Sequence, residues 1–334
     1  MSSDLSRREF IGGLAAVPVA ANALQAAQQS AQERTAPVQQ PKSRTAYVVP
    51  AAPIIDCHIH LFDKSGEKES PYPNDFAPGL TSLPPRYRWT VHGSGIVGVI
   101  VTECSSYPED TLWVLEQCAT DPMFVGHCGY LDFGSTDFVK YFDKFHANKL
   151  FLGVRYARAN LEEAPTRPVL LGDIKTMTDA GLVLELGSRS PIAIARLADK
   201  LPASAKIVIP HLPRTNLTPA TSAEYRAGLK ELRSRPNVAM KLSGVTKFVD
   251  GKVVSDVAML KDWLDELWDV FGEDRVVYGT DWPHEERTAP FLQVLSTATS
   301  YARTKPAAVQ EKVFWRNSAR IYKWAKRAPD QPAA

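Results

Sequence analysis

From Pro53 onward the chain alternates short apolar runs with longer segments of helical character. The short runs read as strands over Ile54–His60, Gly98–Glu103, Met123–Leu131, Phe151–Arg155, Leu182–Leu186, Lys206–His211, Val238–Leu242 and Val276–Gly279. Between them, Glu109–Thr120, Thr136–His146, Leu171–Ala180, Ser190–Leu201, Ser222–Ser234 and Ser255–Phe271 read as helices. Glu109 and Asp110 after Pro108 mark a helix start, and Asp121-Pro122 marks its end. Strands alternating with helices imply a parallel sheet with helical crossovers. Eight such units predict a single-domain (β/α)8 TIM barrel. A doubly wound open sheet is the rival, and the first strand is not followed by the GxGxxG of a dinucleotide fold.

The connection after the first strand, Phe62–Gly95, is long. Pro71, Pro73, Pro78, Pro84 and Pro85 predict an irregular loop there, of the kind that covers an active site.

The first strand ends Asp56-Cys57-His58-Ile59-His60. Residues two apart on a strand share a side, so His58 and His60 are predicted to project into one space. Imidazole is both the commonest metal ligand and a general base near neutral pH. The other predicted strands also end in polar groups. These are Glu103 on the second, His127 on the third, Arg155 on the fourth and Glu185 on the fifth. His211 and then Arg214 follow the sixth, Lys241 and Ser243 the seventh, and Asp281 with His284 the eighth. Catalytic groups of such barrels lie at the carboxyl ends of the strands. His58, His60, His211 and Asp281 form a set suited to a divalent metal, or to a water-activating group without one. Lys241 and Glu185, taken singly, read equally well as salt-bridged core residues.

Composition narrows the rest. At 44% hydrophobic and 23% charged, the 334-residue chain is ordinary globular material. A net charge of +2, without a dense Lys/Arg run, speaks against nucleic acid as a partner. The four cysteines (Cys57, Cys104, Cys118 and Cys128) form no CxxC and are too few for a disulfide scaffold.

Ser6-Arg7-Arg8-Glu9-Phe10-Ile11, followed by a mild apolar stretch to Ala26, resembles a bacterial twin-arginine (Tat) export signal. The stretch is too short and weak for a stable membrane anchor, and Ala21 and Ala23 suit a cleavage site. This predicts a signal over residues 1–27, a linker over 28–50, a barrel over 51–326 and a tail over 327–334. It also predicts the Tat export machinery as a partner and a periplasmic or exported mature protein.

The motifs are similar to those of the amidohydrolase superfamily, in its amidohydrolase-related branch. Asp56–His60 resembles the first-strand HxH of that family, His211 its sixth-strand histidine, and Gly279-Thr280-Asp281-Trp282-Pro283-His284 its eighth-strand aspartate motif. Gly153-Val154-Arg155, Lys241-Leu242-Ser243-Gly244 and Phe314–Tyr322 resemble the group that includes sugar lactonases and 2-pyrone-4,6-dicarboxylate lactonase. The resemblance implies a hydrolase that opens a lactone or other cyclic ester of a small, anionic or sugar-like acid by water attack. A metal-dependent decarboxylase of an aromatic or muconate-like acid is the alternative. It further implies Asp281 and His211 as catalytic residues, Arg155, Arg214 and His284 as substrate-binding residues, and one Zn²⁺ or Mn²⁺ held by His58, His60 and Asp281, with Glu185 as a further ligand. Arg155 and Glu185 stand where metal-dependent members carry histidine or lysine, so a metal-free route stays open beside the metal-dependent one.

Overall fold

The computed structural model describes residues 47–63, 81–157, 162–187, 190–211, 219–249 and 252–333. The expected signal and nearly all of the expected linker lie outside the described residues, as does Arg214.

Eight parallel strands occur in chain order: β1 (Ile54–Ile59), β2 (Ile96–Thr102), β3 (Phe124–Gly129), β4 (Phe151–Tyr156), β5 (Val183–Leu186), β6 (Lys206–Ile209), β7 (Val238–Leu242) and, after a hairpin of β8 (Lys247–Val249) and β9 (Lys252–Val254), β10 (Val276–Tyr278). Each pairs with the next in a single sheet. The seam between first and last strands closes just beyond β10. Asp281 N–H donates to the His58 carbonyl at 2.7 Å, and His60 N–H donates to the Trp282 carbonyl at 2.8 Å. A Cβ on Gly279 would stand 2.7 Å from His58 Cβ, so the strands approach this closely only with glycine there. Asp56 braces the same seam from outside the barrel. Its carboxylate accepts from Thr280 N at 2.9 Å, Thr280 Oγ1 at 2.6 Å, Tyr87 Oη at 2.8 Å and His58 N at 3.1 Å. Burial raises its carboxyl to about 6 against the pull of these bonds.

The expected barrel is therefore the observed one, with strand limits moved by a few residues. The crossover helices are α1 (Pro84–Val91), α2 (Pro108–Thr120), α3 (Phe138–His146), α4 (Pro168–Asp179), α5 (Pro191–Ala198), α6 (Pro219–Arg233), α7 (Val257–Phe271) and α8 (Phe291–Ala302). Among the described residues no helix is long and apolar enough to cross a membrane. Helix α1 corrects the sequence reading, because it lies inside the stretch expected to be an irregular loop. Pro84 and Pro85 stand at its first two positions, where proline gives up no hydrogen bond and its fixed φ suits the helix. The same device opens α2, α4 and α5.

The core has two layers. One lies between sheet and helices and includes Ile54, Ile59, Leu61, Val99, Val101 and Phe124. The other fills the barrel, with Ile55, Cys57, Ile100, Val125, Val183, Val208 and Val277 packed over Trp315, Tyr322 and Trp324. Those last three belong to the segment of α9 (Ala307–Glu311), a π-turn at Lys312–Arg316 and α10 (Asn317–Tyr322), with Trp324 just beyond it. This segment closes the amino-terminal end of the barrel. Residues 327–333, expected as part of a tail, are docked there too. Arg327 Nη1 donates to the Cys118 carbonyl at 2.7 Å, and buried Gln331 donates to the Val97 and Pro122 carbonyls at 3.2 and 2.9 Å.

Candidate active site

A bulge in β1 creates the site. Asp56 pairs with Val99 and Ile59 with Val101, so three residue steps on β1 answer two on β2. Before the bulge Ile55 and Cys57 face the barrel interior, whereas after it Ile59 and Leu61 face the helices. Plain alternation would have put His58 and His60 on the same side as Ile54, among the helices. The extra residue turns both imidazoles into the barrel mouth.

There they meet the end of the eighth barrel strand. Asp281 Oδ1 lies 3.4 Å from His58 Nε2, 3.4 Å from His60 Nε2 and 3.8 Å from His211 Nε2. Asp281 has φ of 61°, a left-handed conformation that aspartate tolerates better than most residues, and it aims the carboxylate inward at the closing seam. The His58 and His211 rings stand 4.3 Å apart, and Ser243 Oγ lies 3.4 Å from His211 Nδ1. His284 packs edge-on against His60 at 4.7 Å and against Phe62 at 5.6 Å, which makes an aromatic wall at the mouth. Burial lowers His284 to about 3, with the nearby His60 adding to the effect. His58 is held well below the usual imidazole range, first by burial and then by the charges of Lys241, His211, His60 and Arg155. Both rings are therefore neutral near pH 7.

The sequence-predicted residues divide accordingly. His58, His60, His211, Asp281 and His284 converge. Arg155 sits opposite Glu185 in the β4–β5 register and acts on His58 and His284 through its charge. Glu185 departs from its expected place among the metal ligands. It is fully buried, with Oε1 2.6 Å from Lys241 Nζ and 2.8 Å from Tyr322 Oη, so the fifth strand contributes an ion pair beneath the site. The motifs gave Lys241 no role in the site, although it contacts His58 at 3.3 Å.

His58, His211 and Asp281 each offer one donor atom, all within 4.8 Å of one another. Two nitrogens and a carboxylate oxygen form a donor set that suits a divalent ion such as Zn²⁺. His211 also has a hydroxyl behind its second nitrogen, the usual support of a ligating histidine. The residues present thus fit one divalent cation. His60 borders this group, its Nε2 lying 3.1 Å from that of His58.

His127, on β3, shows what burial without such use does. It is 1% exposed and donates from Nδ1 to the Val101 carbonyl at 3.0 Å. Burial lowers it from 6.5 to about 4. The unfolded chain therefore binds this proton first as pH falls. Stability is complete above pH 6.5 and declines towards pH 4, by about 3 kcal/mol from this residue. Urea midpoints of His127→Gln at pH 7 and pH 4.5 are expected to differ less than those of the wild type. An equal drop in both proteins would assign the acid loss elsewhere.

Comparison with known proteins agrees with this barrel. The profile of the amidohydrolase family (Amidohydro_2) matches residues 55–324, nearly the whole barrel, and the chain belongs to that family. An L-fucono-1,5-lactonase of Burkholderia multivorans is 33% identical over 100 residues, covering 29% of this chain and 34% of that enzyme. Another, from Burkholderia ambifaria, is 25% identical over 194 residues, covering 57% of this chain and 66% of the relative. The chain thus matches less than two thirds of the length of either curated relative. Among solved structures, an amidohydrolase of Burkholderia multivorans with bound zinc superposes with a TM-score of 0.73 at 20% identity, over 82% of this chain and 100% of that one.

Proposed function

We propose that the protein is a hydrolase that opens a lactone of a small sugar-like or organic acid. The observation that carries this reading is one carboxylate, Asp281, set within 3.8 Å of three imidazoles at the barrel mouth. The fuconolactonase relatives make sugar-acid 1,5-lactones the first substrates to try.

Ester opening needs an activated water, a polarised carbonyl and a proton for the departing oxygen. Asp281 accepts the proton of the attacking water while the water oxygen bonds to the carbonyl carbon. When the ring C–O bond breaks, Asp281 returns that proton to the alkoxide, and the product is a hydroxy acid. Neutral His284, together with Phe62, gives the substrate a partly apolar wall. Arg155 supplies positive charge for the product carboxylate, and Arg214, beyond the described residues, is assigned the same task. A divalent cation held by His58, His211 and Asp281 supplies Lewis-acid polarisation of the carbonyl when bound.

The test is acid release from a panel of sugar 1,4- and 1,5-lactones, with and without chelator. Ring opening supports the reading, and its loss on chelation with recovery on added Zn²⁺ or Mn²⁺ supports the cation. Release of CO2 from aromatic acids without lactone opening would replace the reading with a decarboxylase.

Export is a separate proposal, supported by Arg7-Arg8, Phe10 and the apolar stretch that follows. The double change Arg7→Lys, Arg8→Lys is expected to leave the protein uncleaved in the cytoplasm of a Tat-competent bacterium. Unaltered appearance in the periplasm would remove the Tat assignment.

A further inference from the structure

Lys241 is fully buried, and its ammonium reaches four acceptors. Nζ lies 2.6 Å from Glu185 Oε1, 2.7 Å from the Cys57 carbonyl, 3.3 Å from His58 Nδ1 and 3.4 Å from Thr102 Oγ1. An ammonium group only donates. At the far end of the histidine pair, His60 Nδ1 is 2.6 Å from the Glu103 carbonyl oxygen, which only accepts. His60 therefore carries its proton on Nδ1, and in the neutral ring Nε2 is bare. The 3.1 Å contact between the two Nε2 atoms then requires the proton on His58 Nε2. That leaves His58 Nδ1 bare, facing Lys241. The chain has one consistent direction. Lys241 donates to His58, His58 donates to His60, and His60 donates to the backbone of Glu103. Both ends are set by groups of fixed polarity, an ammonium that only donates and a carbonyl that only accepts.

We propose that Lys241 is a positioning residue that holds His58 in its Nε2–H tautomer, and that it thereby weakens cation capture by His58, His211 and Asp281. Ligation through His58 Nε2 needs that nitrogen bare, so the proton must move to Nδ1. A ligating histidine ordinarily donates its second N–H to an acceptor, and Lys241 offers none. The inference stands on the geometry of the site and is independent of the substrate.

The test uses the metal-free full chain with 15N-labelled histidine, His58 being assigned through His58→Asn. The expected NMR result is a protonated Nε2 and a bare Nδ1 on His58, and a protonated Nδ1 would overturn the proposal. Zinc affinity is then measured by chelator competition in the wild type and in Lys241→Met/Glu185→Leu, which removes both buried charges together. Zinc is expected to bind about tenfold more tightly to the double variant. Unchanged or weaker binding would overturn the proposal. If that pair fails to fold, Lys241→Gln/Glu185→Gln replaces the group that only donates with an amide that can also accept, and a tightening in the same direction is expected.

Discussion

Asp281→Asn is expected to lower kcat for lactone opening by roughly 10²- to 10⁴-fold, the usual contribution of a positioned general base. The amide keeps the size of the carboxylate but cannot take a proton from water. Its backbone continues to close the barrel seam, since the bond to the His58 carbonyl comes from the main-chain nitrogen. The urea midpoint is therefore expected to stay near that of the wild type while turnover collapses. Initial rates on an opened lactone, measured beside the unfolding curve, separate the two effects. Near-normal turnover would move the base role to another residue.

The second large effect concerns stability. Lys241→Met is expected to destabilise the fold by about 3–5 kcal/mol, because it strands the Glu185 carboxylate in a site from which water is excluded. Lys241 and Glu185 are both 0% exposed and 2.6 Å apart. Tyr322 would still donate to Glu185 at 2.8 Å, but one neutral donor does not replace a cation. Changing Glu185→Leu in the same chain is expected to recover most of the loss, since a buried pair replaced as a unit by apolar groups is often neutral. Urea midpoints of both single variants and of the double variant form a double-mutant cycle. Additive losses would mean that the two side chains are not coupled.

How far the sequence carried these conclusions depended on the kind of signal. Eight apolar runs spaced by helical segments specified the barrel, because burial of both sheet faces writes itself directly into hydrophobicity. Asp281 and His211 were legible from motifs at strand ends. The facing of His58 and His60 was not legible from alternation. The period of two shows that two residues share a side but not which side, and the bulge at Cys57–His58 decides it. Pro84 and Pro85 misled for a related reason, since proline that marks an irregular loop also begins a helix. Glu185 and Lys241 carried no pattern that distinguishes a metal ligand from a buried ion pair. The positions of Lys241 and of Tyr322, the latter 137 residues further along the chain, settle where the glutamate points.

The floor of the barrel is also a matter of timing. Trp315, Tyr322 and Trp324 follow all eight strands in the chain, and a ribosome working from the amino terminus delivers them after every group of the site has emerged. Until Tyr322 arrives, Glu185 and Lys241 face an open base, and the lysine behind His58 lacks its final support. The last part of the barrel to be made therefore completes the backing of its histidines.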